Sequence, residues 1–363
     1  MHVAELRKKI DALDRRLVDL LNTRARVAVQ IGQLKQARKS NVYVPAREKA
    51  VVAHVRRKNQ GPLSNEALSA IYREIMSASL ALERRLPVAH FGQATTFTHQ
   101  AARLKFGANA DYVPCETIGD VFESVRKGQT DYGVVPIENS TEGAVTHTLD
   151  EFVQTSLKIC AEIYLPISHH LMAGHASQVA GGTLKGIRRL ASHPQVLGQC
   201  RNWLHAKMPG VEIVPTTSTA RAAEMAVQDH HVAAIASALA AEHYHLRVLA
   251  EDIQDLSGNM TRFLVIGKSF GSPTGNDKTS IFFAVKHKAG ALHNALGALK
   301  KYQLNMTKIE SRPSKLKAWE YLFFVDIEGH VAEQRVRNAL HDLERHCTLM
   351  TILGAYPRTP ESA

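Results

Sequence analysis

The 363-residue sequence predicts a multidomain chain with three fold types in series: an all-α helical domain at residues 1–86, an α/β domain at 88–268 and an α+β ferredoxin-like domain at 277–357. Three observations predict it. A heptad seam runs unbroken from residue 6 to residue 34, short β-type runs alternate with helical runs through the middle, and the C-terminal part reads βαββαβ.

In the first segment, positions 6, 10, 13, 17, 20, 24, 27, 31 and 34 read Leu, Ile, Leu, Leu, Leu, Arg, Val, Ile and Leu at 4-3-4-3 spacing. A helix of ~33 residues spans ~50 Å. It cannot bury its seam within its own chain, so a dimer or an extended bundle is implied. This helix should fade near Ser40-Asn41. A second begins at Pro45, a favoured first-turn residue, and stops at Gly61-Pro62; a third follows Ser64 as N-cap and ends before Pro87.

Charge is concentrated in the same region. Residues 1–58 hold 15 Lys and Arg against 5 Asp and Glu, nearly all of the chain's net +11. Arg24 interrupts the apolar seam, and a guanidinium in a helical core is costly unless an anion meets it. Arg7, Lys35 and Arg47 surround it with few acids. A cation cluster of this kind suits a small anionic ligand. Nucleic acid fits less well, because no aromatic residue precedes Tyr43 to stack on bases. Ser79 and Glu83 share a face of the third helix at i and i+4.

In the middle segment, strands are expected at 88–91, 132–137, 159–167, 187–191, 211–214, 232–236 and 263–266, with helices at 194–207 behind a Ser192 cap and 220–227 behind Thr217-Ser218-Thr219. Ligands in such sheets gather at strand ends and helix N-termini. The C-terminal segment reads strand 280–285, helix 291–302, strands 305–310 and 321–327, helix 331–345 and strand 349–356, after a Gly271-Ser272-Pro273-Thr274-Gly275-Asn276 linker.

Other classes are excluded by composition. No apolar run reaches the ~18 residues of a membrane span, and the N-terminus lacks the apolar core of a signal peptide. Four scattered cysteines and 19 histidines show no metal-ligand spacing, so neither metal nor cofactor is expected. The histidines, including His169-His170 and His230-His231, read as surface or packing residues. The scattered cysteines suit a reducing cytoplasm.

Three groups of motifs carry a resemblance. Leu6-Arg7-Lys8-Lys9-Ile10-Asp11, Leu21-Asn22-Thr23-Arg24, Gly32-Gln33-Leu34-Lys35 and Pro45-Ala46-Arg47-Glu48 resemble the all-helical chorismate mutase domain of bacterial bifunctional chorismate mutase–prephenate dehydratases. The resemblance implies an intertwined dimer, or a higher homo-oligomer. In it Arg24, Lys35 and Arg47, with Arg7 of the second copy, hold the two carboxylates and the ether oxygen of chorismate; Glu48 contacts the ring hydroxyl, with Ser79 nearby. Val44 stands where some relatives have Asp, and Glu83 where many have Gln. The rearrangement involves no proton transfer, so positioning and charge suffice. An ionised Glu83 would repel the ether oxygen, so Glu83 is expected to work protonated.

Pro136-Ile137-Glu138-Asn139-Ser140-Thr141-Glu142-Gly143, Ser192-His193-Pro194-Gln195 and Asn259-Met260-Thr261-Arg262-Phe263 resemble the α/β bilobal prephenate dehydratase domain. The resemblance makes Thr261 the donor to the leaving hydroxyl and Arg262 an anchor for a substrate carboxylate or a brace of the site, beside Phe263. Asn139, Gln195 and Gln199 orient prephenate; Ser140, Thr141, Ser192, His193, Ser218 and Thr219 support it. Gly92-Gln93-Ala94-Thr95 lacks the second glycine of the family's usual turn, which is nonetheless expected to survive. Gly290-Ala291-Leu292 and Glu310-Ser311-Arg312-Pro313 resemble the two motifs of the ACT regulatory domain, which implies a phenylalanine site that also includes Asn305. There Gly290 opens a helix to the effector carboxylate, and Glu310 meets the ammonium or a cross-subunit Arg312. The rival readings are a ligand sensor without catalysis and a nucleic-acid binder.

Overall fold

The computed structural model describes residues 2–37, 45–175, 184–314 and 320–359. Val44 and the expected end of the first helix at Ser40-Asn41 lie outside them, and Lys35 is known only by its place in the first helix. The chain divides into two compact units, Met1–Val88 with Arg103–Asp111, and Ala89–Ala102 with Tyr112–Ala363.

The first unit is built on α1 (Val3–Ala37), α2 (Pro45–Lys58) and α3 (Asn65–Ala81). Ser64 caps α3 by accepting the Ala67 N–H at 3.1 Å, as its position before the apolar run requires. The heptad seam of α1 faces outward: Leu13 is 60% and Leu20 66% exposed. One chain therefore leaves the seam uncovered.

The chain continues with β1 (Pro87–Phe91), α4 (Phe97–Phe106) and β2 (Asp111–Cys115), of which Pro87–Val88 and Arg103–Asp111 belong to the first unit. The second unit goes on through α5 (Ile118–Lys127), β3 (Tyr132–Asn139), β4 (Gly143–Ala144), α6 (Thr146–Gln154) and β5 (Lys158–Pro166). There follow β6 (His170–Ala173), β7 (Arg189–Ser192), α7 (Pro194–Gln199), α8 (Arg201–Lys207), β8 (Glu212–Pro215), α9 (Thr219–Gln228), β9 (Val232–Ala236), α10 (Ala238–His243), β10 (Arg247–Ala250) and β11 (Met260–Gly267). The C-terminal module is β12 (Asp277–Val285), α11 (Ala291–Lys301), β13 (Met306–Pro313), β14 (Tyr321–Glu328), α12 (Gln334–Glu344) and β15 (Cys347–Pro357).

These strands form two lobes. The smaller sheet has order β10-β6-β9-β7-β8, with the alanine-rich α9 packed closely on β9 and β7. The larger runs β13-β14-β12-β15-β5-β11-β3-β1-β2, with β4 on β3. The ferredoxin-like module is thus hydrogen-bonded to the strands of the preceding α/β segment, β15 meeting β5 in parallel at Gly354 and Ile159. Its helices α11 and α12 cover one face through Ile281, Phe283, Val325 and Ile327. The opposite face, through Phe282, Phe324 and Tyr356, shares a core with Phe122, Phe152 and Leu264.

Several elements differ from the sequence expectation. The helix expected at 194–207 is two, separated at Cys200, and His193 rather than Ser192 caps it. Ser192 is buried and donates instead to the Ile235 carbonyl at 2.8 Å, stapling β7 to β9. Short strands β2, β6 and β10 have too little β-type patterning to stand out in the sequence. In the altered turn Gly92 and Thr95 both adopt positive φ, of 82° and 71°.

Candidate active sites

The first site lies within the helical unit. Arg24, half-buried on α1, donates to Ser79 Oγ at 2.9 Å, and Ser79 donates in turn to the Ile75 carbonyl at 2.7 Å. The two line a cavity of about 210 Å³ together with Arg47, Glu48, Arg73, Glu83 and Lys105. Glu83 lies flat against Gly32 of α1, where an added Cβ would collide with its carboxyl group. Glu83 does not share a face of α3 with Ser79, as the i, i+4 spacing implied: the helix ends at Ala81, Glu83 stands in the turn after it, and Gly32 sets how closely its carboxyl approaches α1.

Lys105 was missed because it follows the helical region in the chain. Its Nζ sits 3.0 Å from Glu48 Oε2 and supplies another cation. Arg7 does not join the cavity: it lies seventeen residues before Arg24, ~25 Å along the helix, and is exposed. Lys35 stands three turns beyond Arg24 on the same helix. Charge in the cavity is therefore predominantly positive, with Arg24, Arg47, Arg73 and Lys105 set against two carboxyls, Glu48 paired with Lys105 and Glu83 at the wall.

The second site lies between the two lobes of the other unit. In β11, antiparallel to β3, Thr261 pairs with Asn139. Asn139 Nδ2 donates to Thr261 Oγ1 at 2.8 Å and to Asn259 Oδ1 at 2.7 Å. Its Oδ1 accepts from Thr141 N–H, Thr141 Oγ1 and Glu142 N–H at 2.9, 2.6 and 3.1 Å. The Asn139 amide is thus fixed in orientation, and the Thr261 hydroxyl, accepting from it, keeps its own proton for a group in the cleft. From the other lobe, Gln195 and Gln199 on successive turns of α7 both donate through Nε2 to the Glu142 carboxylate, Gln199 at 2.8 Å. Glu142 was part of the recognised motif but had no role in the sequence reading.

Some sequence-predicted residues stand elsewhere. Ser140 accepts from Met260 N–H at 2.9 Å and donates its own N–H to the Met260 carbonyl at 2.8 Å, a staple between strands. His193 caps α7. Ser218 caps α9 and donates to Gln93 Oε1 at 3.3 Å, while Thr219 is buried in the first turn. Phe263 is packed in the core.

Arg262 needs the clearest correction as a carboxylate anchor. Side chains alternate along β11, so beside Thr261 it points to the opposite face of the sheet. There it donates to Glu162 at 3.0 Å, Asp326 at 2.6 Å and Tyr356 Oη at 2.9 Å, with Lys278 also on Glu162 at 2.9 Å. Burial works against its charge, but Asp326, Tyr356 and Glu162 outweigh it and hold the guanidinium charged. Arg262 braces the sheet from behind.

In the C-terminal module Gly290 takes the left-handed conformation, φ 77°, at the N-cap of α11, and Ala291 and Leu292 pack inward. Along β13, Lys308, Glu310 and Arg312 alternate with the outward Ile309, Ser311 and Pro313. Arg312 pairs with Asp150 of its own chain at 3.4 Å rather than with Glu310. Asn305 accepts the Glu328 N–H through its carbonyl. No helix among the described residues is long and apolar enough to cross a membrane.

A helical unit with a cationic cavity, a two-lobed α/β cleft and a ferredoxin-like module together define a multidomain enzyme with two separate sites. The family models for chorismate mutase type II, prephenate dehydratase and the ACT domain match residues 6–84, 88–270 and 279–345. The chain belongs to the bifunctional chorismate mutase/prephenate dehydratase family. It is 47% identical to the bifunctional chorismate mutase/prephenate dehydratase of Aquifex aeolicus over 98% of this chain and 97% of that one, and 42% identical to that of Stutzerimonas stutzeri over 97% of each. The prephenate dehydratase of Arthrobacter aurescens, solved in complex with L-Phe, superposes with a TM-score of 0.69 at 34% identity, covering 76% of this chain and 92% of that one.

Proposed function

We propose that the chain converts chorismate to prephenate in the helical unit and prephenate to phenylpyruvate in the two-lobed cleft, with phenylalanine as feedback inhibitor. In the first step a carbon–oxygen bond breaks as a carbon–carbon bond forms, and no proton moves. Arg24 and the cations around it hold the dicarboxylate in a compact conformer, and a protonated Glu83 donates to the ether oxygen as charge gathers there. Arg7 is supplied by a second copy, whose α1 seam covers the exposed leucines of the first.

In the second step the ring carboxylate departs as carbon dioxide. Its bonding pair completes the aromatic ring, and the ring hydroxyl leaves as water. The observation that carries this reading is the Asn139–Thr261 hydrogen bond of 2.8 Å, whose direction leaves the Thr261 proton aimed away from Asn139. Thr261 is a weak acid by itself; the chain from Thr141 through Asn139 polarises it. Gln195 and Gln199 supply donors for a carboxylate. Phenylalanine binds with its carboxylate at the Gly290 turn and the free amides of α11. The cysteines are free thiols, as a reducing cytoplasm keeps them.

The test is incubation with chorismate, following prephenate and phenylpyruvate with and without phenylalanine. Thr261→Val should accumulate prephenate, and Arg24→Leu should leave chorismate unconverted while added prephenate is still consumed. Release of phenylpyruvate by Thr261→Val at the wild-type rate would sink the assignment.

A further inference from the structure

His169 lies just ahead of β6, 1% exposed, with no part in the chemistry above. Its main chain is pinned on both sides: its N–H donates to Gln254 Oε1 and its carbonyl accepts from Ile253 N–H, each at 2.9 Å. The ring stands edge-on to Phe97 with centroids 5.5 Å apart, and its Nε2 is 2.7 Å from Gln199 Oε1.

The proton on this imidazole can be assigned from its neighbours. A carboxylate only accepts, so the end of the Gln199 amide that meets Glu142 is Nε2, and the end facing His169 is Oε1. His169 Nε2 must then carry the hydrogen. Independently, His169 Nδ1 is buried and has no hydrogen-bond partner among the described residues. Orphaned N–H groups are rarer in protein interiors than under-satisfied acceptors, so Nδ1 is the bare nitrogen. Both arguments give the same tautomer. Burial lowers the basicity of the ring and keeps it neutral.

We propose that His169 is a positioning residue of the dehydratase site, holding the Gln199 amide so that it meets an anionic substrate as a donor. A glutamine free to rotate would present its oxygen to that anion about as readily as its nitrogen. With Oε1 tied to His169, only the donor faces the cleft, where it takes the Glu142 carboxylate or a substrate carboxylate in its place. The packing against Phe97 fixes the ring from the side of the 92–98 turn. The proposal rests on the dehydratase reading.

Steady-state kinetics on prephenate with the full chain test it, comparing wild type with His169→Phe, His169→Gln, Gln199→Ala and the double variant His169→Phe/Gln199→Ala. His169→Phe keeps a ring against Phe97 but loses the donor; KM for prephenate should rise about tenfold, with kcat falling less. His169→Gln, whose amide can still donate, should recover most of the loss. In the Gln199→Ala background, His169→Phe should cost nothing more. Unchanged chorismate mutase activity and thermal unfolding establish that each variant is folded. If the phenylalanine ring is not tolerated, His169→Asn, too short to reach Gln199, gives the same comparison. A KM within twofold of wild type in a folded His169→Phe, or losses that multiply in the double variant, would assign His169 to packing and overturn the proposal alone. A wild type inactive on prephenate would overturn the dehydratase reading and this proposal with it.

Discussion

Lys308 on the edge strand β13 holds Glu138 of β3 at 2.7 Å, and Glu138 is the residue before Asn139. Four residues along the same strand, Arg312 reaches Asp150 on α6 at 3.4 Å. The inward cations of the ferredoxin-like module are thus fastened to the strand and helix that flank the Asn139 turn. If phenylalanine binds as proposed and shifts β13, Glu138 is the residue of β3 it would move first, with Asn139 next in the strand and Thr261 hydrogen-bonded to it.

Lys308→Met should therefore loosen feedback without touching either reaction. The phenylalanine concentration giving half-inhibition of phenylpyruvate formation should rise about three- to tenfold, the size of an ordinary coupling energy. Mutase activity should be unchanged. An inhibition curve that superposes on the wild type would place the coupling elsewhere.

Arg262 gives a stability prediction with a kinetic corollary. Replacing it by Met strands Glu162 and Asp326, both buried, with Lys278 as the remaining nearby cation. Removing one partner of a buried ionic cluster costs about 3–5 kcal/mol, so denaturant melts should show a large loss in the unit holding the dehydratase cleft. A loss confined to activity, with stability retained, would mean that the guanidinium serves substrate after all.

Much of this was legible in the sequence because long periodic segments dominate their own structure. The α1 seam, the Ser64 cap and the βαββαβ order follow from spacing alone, and the motif around Asn139 and Thr261 names residues that meet across β3 and β11. What was not legible depends on three-dimensional neighbours. The face of Arg262 is decided by strand alternation from Thr261, a rule that could have been applied. Lys105 enters the first cavity from a distant stretch of chain, and His169 looked like one histidine among 19. Neither has a sequence signal, since each owes its role to a partner brought near by folding. Ser140 and Ser192 show the converse: hydroxyls in functional motifs that are spent on backbone carbonyls and amides.

The contact of Glu83 with Gly32 makes the helical site testable in two ways. If Glu83 works protonated, mutase activity should fall as pH rises through its titration, and Glu83→Gln, a permanent donor, should remove that fall. A flat profile identical for both would refute the role. Gly32→Ala should separate stability from activity. Alanine favours the helix by about 1 kcal/mol over glycine, yet its Cβ collides with the Glu83 carboxyl and must displace it. Helical stability should hold or rise while mutase kcat drops about tenfold or more, the usual cost of a misplaced group. Equal rates for Gly32→Ala and wild type would show that Glu83 needs no fixed position.

His90 should limit the molecule in acid. It is 1% exposed on β1, stacked on His99 with ring centroids 4.7 Å apart and with Tyr112 edge-on at 6.5 Å. Burial pulls its pKa down from 6.5 to about 4, against a weaker opposing hydrogen bond at the Phe91 backbone. The unfolded chain therefore binds this proton more readily than the folded one. Above pH 6.5 both states are neutral and the full stability is present; as pH falls from 6.5 towards 4, protonation of the unfolded chain withdraws it. The loss from this one group is bounded at about 3 kcal/mol. Chemical denaturation of wild type and His90→Leu at pH 7.5 and 4.5 checks it. The leucine variant should lose less on acidification, so the stability gap between the two proteins must shift in its favour at the lower pH. A gap that stays constant would mean that His90 takes up its proton in the folded protein as easily as in the unfolded chain, and that the buried stack with His99 exacts no electrostatic cost.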